Sequence, residues 1–350
     1  IFTINIPIGI IGFLLAALIL RETPVQEKKF DLGGFITAAV GLFCLLLALN
    51  KGTSEGWDSG FIISLFVVAF TSLAAFVYLE LNQDDPLLDL TLFTDWNFSF
   101  SLVVSFIGTI GLYGGIFMIP LFLENFRGNT AMQTGMLLFP SALTAGLMMP
   151  LAAKLSDRFG AKPVVLIGLS ILIAATLPFR HLSLDTSEHT IMMLMVFRGV
   201  GLGLFSMPVT VLGMNSVPLN KISRASSLNN AIRQVSGSMG VAILTTVLQN
   251  RQIFHLERIT ESFTNSSHPA LSLLSYAEQL LIHNGSASGA AHTQALAIIS
   301  GMIQKQSYIA AFDDSFLFMA VICSLALLPA LLLRPNKPGE KGGDAAVMME

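Results

Sequence analysis

The side chains in this sequence most able to do chemistry are charged groups beside or inside long apolar runs. Residues 153–163 carry Asp157, Arg158 and Lys162 between two such runs, with Gly160 near the centre. A carboxylate just before a helix is stabilised by the free N–H groups and positive dipole end there, and glycine permits a tight turn. The pattern, with Asp157 preceding a helix that starts near residue 163, predicts either a latch that opens and closes or a charged turn that only fixes topology.

Arg198 is the most conspicuous charge, because it lies inside the apolar run 190–212. A guanidinium in such surroundings needs a polar partner or water. We therefore expect Arg198 to face an internal cavity, or to form an interhelical polar link with a purely structural role. Glycines four residues apart let helices approach closely. Two such pairs lie within the apolar runs, Gly111 with Gly115 and Gly199 with Gly203.

Glu124 follows the end of the apolar run 98–123, which also contains Tyr113 beside its glycines. A carboxyl at the mouth of a cavity could bind a proton or attract a cation, and it could equally be a solvated group that ends the helix. Glu124 and Tyr113 are thus candidates for cavity lining or coupling.

Asn230, Arg233 and Gln234 share one helical face near the start of the run 225–248. This face predicts a gate that works with the 153–163 segment, or side chains that extend to the interface. Metal binding is not predicted, because none of the histidines has a ligand spacing such as HExxH. The histidines are His181, His189, His255, His268, His283 and His292.

Charged residues are few in the sequence as a whole. Hydrophobic residues make up 53% of the 350 residues, charged residues only 12%, and the mean hydropathy is +0.71. Soluble domains usually carry about 25% charged residues. A helix crosses a bilayer with about 20 apolar residues, so the sequence predicts an all-α membrane protein. Nine transmembrane helices are predicted, in the runs 4–20, 34–49, 61–79, 98–123, 134–153, 163–179, 190–212, 225–248 and 310–333.

Lysine and arginine positions orient these helices. If the first run passes from outside to inside, twelve basic residues lie inside and six lie outside, which agrees with the positive-inside bias. The inner group is Arg21, Lys28, Lys29, Lys154, Arg158, Lys162, Lys221, Arg224, Arg233, Arg334, Lys337 and Lys341; the outer group is Lys51, Arg127, Arg180, Arg251, Arg258 and Lys305.

Three motifs resemble a known transporter family: INIPIG at 4–9, PLLDLTLF at 86–93 and LSDRFGAK at 155–162. In this order they resemble the EmrB/QacA-type drug:proton antiporters, in the fourteen-helix branch of the major facilitator superfamily. The resemblance implies the major facilitator fold and proton-coupled efflux of amphipathic or cationic toxic compounds by alternating access. Arg198 resembles the arginine that such facilitators carry on their fourth helix. Glu124 stands where the family commonly has glutamine, and Ala153 where it usually has glycine.

That branch has two six-helix halves separated by an extra helix pair, and the predicted helices match the later part of this plan. Residues 1–22 would be the last helix of the first half, 23–86 the extra pair, and 87–350 the second half. The outer segment 250–307 is expected to be a loose connection with short amphipathic helices. The first five helices of the family plan have no counterpart here, so the chain alone is expected to be inactive.

The expected partners are small amphipathic substrates and the lipid bilayer of a bacterial inner membrane, with no nucleic acid. For Gram-negative relatives the resemblance also implies a periplasmic adaptor and an outer-membrane channel. No cofactor is expected besides the proton gradient, and no nucleophile, base or metal pattern indicates an enzyme. Two alternatives stay open: a facilitator that exports another cargo, such as a siderophore, lipid or metabolite, and an inactive truncated membrane protein.

Overall fold

The computed structural model describes residues 5–19, 31–83, 88–262, 268–285 and 287–335. Every regular element in these ranges is helical, which confirms the all-α prediction. The α-helices are α1 Asn5–Ile19, α2 Leu32–Glu55, α3 Gly60–Leu81, α4 Trp96–Asn125, α5 Ala131–Phe159, α6 Ala161–Thr176, α7 Glu188–Asn215, α8 Ile222–Ser262, α9 His268–His283, α10 Ser288–Leu325 and α11 Leu327–Leu332. Short 3-10 helices occupy Leu90–Thr94, Leu177–His181 and Leu219–Lys221.

Eight helical segments of the described chain are long and apolar enough to cross a membrane. They contain eight of the nine predicted runs, from α2 through α11, so the multi-pass membrane fold is confirmed. The first predicted run contains α1, whose 15 described residues are apolar but shorter than a membrane span. Residues 4 and 20, the ends of that run, lie outside the described residues. Residues 1–32 and 33–350 are separate units.

Polar N-caps set the start of several helices. Thr130 and Gln133 form a reciprocal capping box at α5, while Ser187 caps α7 and Asp95 caps α4. Each side chain satisfies backbone N–H groups that have no partner within the helix, which typically stabilises a helix by about 1 kcal/mol. These caps fix where each apolar run begins.

The helices from α4 onward pack into one body. Helix α7 lies against α5 and α6, α8 lies against α4 and α10, and α4 contacts both α7 and α8. Phe122 of α4 packs edge to face on Phe312 of α10, with ring centroids 5.4 Å apart. Phe179 and Phe316 add a second ring contact, at 5.3 Å. Aromatic packing thus joins α4 and the 3-10 helix Leu177–His181 to α10.

The pair α2 and α3 is fastened to α8. Gly41 of α2 allows close approach to α3, because a Cβ there would stand 2.7 Å from Leu73 Cγ. Trp57 Nε1 donates to Thr246 Oγ1 at 3.2 Å, and the hydroxyls of Thr53 and Thr245 lie 3.3 Å apart. These contacts attach the pair beside the larger body.

The segment 250–307 differs from the expected loose connection. Helix α8 continues to Ser262 and α10 begins at Ser288, so most of the segment is helical, and α9 alone matches the expected short amphipathic helix. His292 of α10 pairs with Glu278 of α9, and Ala291 and Ala295 of α10 are buried. Small residues spaced by one helical turn give α10 a packing face, which sequence hydropathy did not reveal.

Candidate functional site

Arg198 lies in the middle of α7 and is only 5% exposed. Its Nη2 donates to the carbonyl oxygens of Gly111 at 3.0 Å and Leu112 at 3.4 Å on α4, and lies 3.9 Å from Met319 Sδ on α10. Its Nε is buried without a hydrogen-bond partner. Arg198 forms no ion pair with a carboxylate of the described residues. Two backbone carbonyls and one thioether sulfur therefore hold the guanidinium.

Glycines on α4 make room for this arrangement. A Cβ at Gly115 would stand 1.9 Å from both Nη atoms of Arg198, and a Cβ at Gly111 would stand 2.1 Å from Cys323 Sγ. Both positions thus receive side chains from other helices. The absence of a side chain at Gly115 is what admits the guanidinium.

The other predicted glycine pair brings backbones together. A Cβ at Gly199 would stand 2.3 Å from Ser141 O, and one at Gly203 would stand 2.6 Å from Ala145 O. Helix α7 therefore lies directly on the backbone of α5. This close approach fixes the direction in which the α7 side chains point.

A cavity of about 280 Å³ lies beside Arg198, between α4, α5 and α7. Its size is near the lower end of small-molecule sites, and such sites are mostly apolar with a few polar groups. Here Arg198 and Ser141 are the polar side chains of the lining. The remaining lining residues are Leu112, Gly115, Ile116, Ile119, Leu138, Ala142, Met195 and Leu202.

A smaller cavity of about 90 Å³ adjoins the first at Leu112 and Leu202. Arg233 of α8 lines it together with hydroxyl groups, so it is more polar than its neighbour. Its other lining residues are Ser105, Thr109, Met149, Phe205, Ser206, Val209 and Thr210. The face between α4 and α7 therefore carries two cavities, each with one arginine.

The structure corrects the predicted helix boundary in the charged segment. Helix α5 continues through Asp157 and Arg158, and α6 begins at Ala161 rather than near Pro163. Gly160 alone makes the turn, with a φ of 86° that favours glycine. No side-chain hydrogen bond caps α6, so Asp157 does not serve as its cap. Helix α5 therefore continues through these polar residues and ends before Gly160, where the backbone adopts a positive φ.

Other groups of the segment contact neighbouring side chains and helix ends. Lys162 Nζ donates to Leu331 O of α11 at 2.6 Å, a favourable position because helix C-termini attract cations. The Arg158 guanidinium lies over the Phe159 ring, 5.2 Å from its centroid. Trp96 Nε1 of α4 donates to Leu332 O at 2.8 Å. The starts of α4 and α6 are thus tied to the end of α11.

Glu124 and Tyr113 are placed outside the two cavities. Glu124 is exposed at the end of α4. The Tyr113 ring lies against α8, 3.4 Å from where a Cβ of Gly237 would be. Neither side chain lines the cavity beside Arg198.

The predicted inner gate is not assembled in this conformation. Asn230, Arg233 and Gln234 are all exposed on one face of α8. Arg233 lines the smaller cavity. Within the described part of the chain, no hydrogen bond or ion pair joins these three residues to the 153–163 segment.

Sequence reasoning missed an ionic cluster at Asp89. This carboxylate is buried and lies 2.6 Å from Lys221 Nζ and 3.9 Å from Arg224 Nη1. Thr91 N donates to it at 3.0 Å. Burial opposes ionisation, but the hydrogen bonds from Lys221 and Thr91 outweigh it and lower the pKa of Asp89 below its ordinary value. Asp89 lies in the 86–93 motif, and opposite charges on two segments predicted to lie on the same side of the membrane were the available signal.

A second missed cluster lies between the C-terminal part of α8 and α10. Asp314 Oδ2 lies 2.8 Å from His255 Nε2 and 3.4 Å from Arg251 Nε. Asp313 beside it has a buried Oδ1 with no hydrogen-bond partner. Two consecutive carboxylates near the start of the apolar run 310–333 were the sequence signal.

Known proteins resemble this chain over most of its length. The model of the Major Facilitator Superfamily matches residues 1–241. The uncharacterized MFS-type transporter YhcA of Bacillus subtilis (strain 168) is 32% identical over 94% of this chain and 62% of its own. Multidrug export protein EmrB of Haemophilus influenzae is 29% identical over 92% and 62%. Fatty acid resistance protein FarB of Neisseria gonorrhoeae is 28% identical over 98% and 66%. The chain thus spans 62% of the length of the first two.

Proposed function

The chain belongs to the major facilitator superfamily, and we propose that the whole protein exports small toxic amphipathic compounds in exchange for protons. It is a multi-pass membrane protein with eight described spans. The observation that carries the proposal is the largely apolar cavity between α4, α5 and α7, which has the lining of a binding site for small amphipathic molecules. The names of the relatives, multidrug export and fatty acid resistance, support the same class of cargo.

Transport would proceed by alternating access around this cavity, as two bundles rock about a central site. The contact of Lys162 with α11 lies on the proposed inner side. It would form when that side is closed and separate when it opens. In this scheme the 153–163 segment is the latch, and Gly160 is the point about which α5 and α6 move.

Proton coupling and protein partners belong to the same proposal. Intramembrane and mouth-lining charged groups commonly mark proton paths, and Glu124 is our candidate in this chain. In a Gram-negative cell, a periplasmic adaptor leading to an outer-membrane channel would dock on α9 and the outer parts of α8 and α10.

Transport by the whole protein in proteoliposomes tests the function. A panel of amphipathic anions, cations and neutral compounds would be assayed under an imposed pH gradient. We expect export that stops when a protonophore collapses the gradient. Ala142→Trp should reduce export at least about tenfold because the indole fills the cavity, while the neighbouring Leu143→Trp should export like the parent, since Leu143 is exposed outside the lining.

Failure of every compound to show gradient-dependent export would overturn the proposal. If Ala142→Trp and Leu143→Trp lost export equally, the cavity would not be the site of transport.

A further inference from the structure

We infer that the cavity beside Arg198 selects amphipathic anions, meaning apolar molecules with one carboxylate, sulfonate or similar acidic group, over amphipathic cations. The inference rests on the proposed export function and specifies its cargo. It follows from the charges and hydrogen bonds of the cavity lining.

The guanidinium of Arg198 is a buried cation without an anionic partner. Arginine stays protonated in proteins, and a buried charge is costly unless it is paired and hydrogen-bonded. Only Nη2 is used, toward Gly111 O, Leu112 O and Met319 Sδ. Nη1 makes no hydrogen bond to a described residue, whereas Nε is enclosed by protein without a partner. Among the described residues, the Cys323 thiol is the one titratable group that acts on this charge. The donors of Nη1 fit the oxygens of an acidic group.

The adjoining cavity adds a second positive charge. Arg233 lines it, and none of the described residues that line either cavity is acidic. Coulomb interactions are strong where water is scarce, as beside the buried Arg198, so a cation there would be repelled and an anion attracted. Arg233 is exposed and adds a weaker, solvent-screened field of the same sign. The hydroxyl groups around Arg233 can also donate hydrogen bonds to an anion.

The remaining walls accommodate an apolar body. Ile116, Ile119, Leu138 and Met195 surround the space beside the guanidinium. An aromatic or short aliphatic body would lie against these side chains while its acidic group meets Arg198. The lining is thus complementary to an amphipathic molecule with one acidic end.

The acidic residues found elsewhere do not neutralise this site. Glu124 is exposed at the end of α4 and does not line the cavity. Asp314 is paired with His255 and Arg251, and Asp89 with Lys221.

The test uses two probes of similar size and permanent, opposite charge, 2-naphthalenesulfonate and 2-naphthyltrimethylammonium. The whole protein in proteoliposomes would be assayed for gradient-driven uptake of each. We expect the sulfonate to be exported at least about tenfold faster. Arg198→Gln should reduce sulfonate export about tenfold or more, the factor typical of losing a charge-assisted hydrogen bond, and leave trimethylammonium export unchanged or raised. Arg198→Lys should retain part of the preference.

Lys305→Gln is the matched control, because it removes one positive charge from an exposed position of α10 remote from both cavities. It should export both probes like the parent. Equal export of the two probes by the parent, preference of the parent for the cation, or an unaltered preference in Arg198→Gln would overturn the inference and leave the export function standing. If the protein exported neither probe and none of the panel compounds, both the inference and the proposed export function would be overturned.

Discussion

Two buried charges show how differently single residues are used in this protein. Asp89 is surrounded by Lys221, Arg224 and Thr91, which satisfy it fully. Arg198 receives only carbonyl and sulfur contacts. A satisfied buried ion holds segments together, whereas an unsatisfied one is suited to meet a ligand. We therefore assign Asp89 to stability and Arg198 to binding.

Asp89→Asn tests the stabilising role. The folded pKa of Asp89 lies below its ordinary value of 3.8, so its ionic stabilisation is present above that pH and is lost as the pH falls through the folded pKa. Asparagine keeps a hydrogen-bond acceptor but removes the charge that binds Lys221. We expect a loss of about 1–3 kcal/mol near neutral pH, the scale of a charged hydrogen bond, and a weaker dependence of Tm on acid.

Thermal unfolding of the purified protein between about pH 3 and 7 measures both effects. Asp58→Asn, at an exposed carboxylate, is the control and should match the parent. An unchanged Tm and acid dependence in Asp89→Asn would refute the stabilising role.

The sequence made Arg198 visible, because a charge inside an apolar run is rare. It did not show Asp89 or Asp314 as sites, since their partners are distant in sequence and meet only after folding. Lys221 lies on the segment before α8, far along the chain from Asp89. Pairing of charges across helices depends on rotation and register, which hydropathy does not encode.

At the scale of elements, α7 organises the body through its glycines. Gly199 and Gly203 contact the backbone of α5, while Gly201 faces α6, where a Cβ would stand 2.6 Å from Leu172 N. Helix α7 therefore fits between two neighbours with almost no side-chain spacing. The four-residue spacing predicted close contacts, but which glycines meet backbone and which meet side chains depends on the helix opposite.

Gly203→Ala and Gly146→Ala form a matched pair of tests. Alanine favours a helix over glycine by about 1 kcal/mol, so the substitution should be neutral or stabilising at Gly146, where nothing lies within 4 Å of the added Cβ. At Gly203 the Cβ would meet Ala145 O at 2.6 Å, and overpacking typically costs about 1–3 kcal/mol. We expect a lower Tm for Gly203→Ala alone, and equal stability of the two variants would contradict the packing.

At the scale of the whole molecule, composition and apolar periodicity were sufficient to predict the all-α membrane fold. They were insufficient for the extension of α8 to Ser262 and the start of α10 at Ser288, because the polar surfaces of these segments look like loops in a hydropathy profile. The cavities could not be predicted from the sequence either, because a cavity depends on how the side chains of different helices pack against one another. Helices α4, α5 and α7 together create the site that no one of them contains.

Substrate protection of a cysteine in the cavity tests the central claim, that small molecules bind between α4, α5 and α7. In the whole protein, Ala142→Cys would be labelled with a thiol reagent, and Leu143→Cys on the adjacent exposed face would serve as the control. Cys44 and Cys323 are buried, so the parent gives the background. We expect an exported compound to slow labelling at Ala142→Cys and to leave labelling at Leu143→Cys unaffected. Equal labelling at Ala142→Cys with and without an exported compound would contradict the central claim.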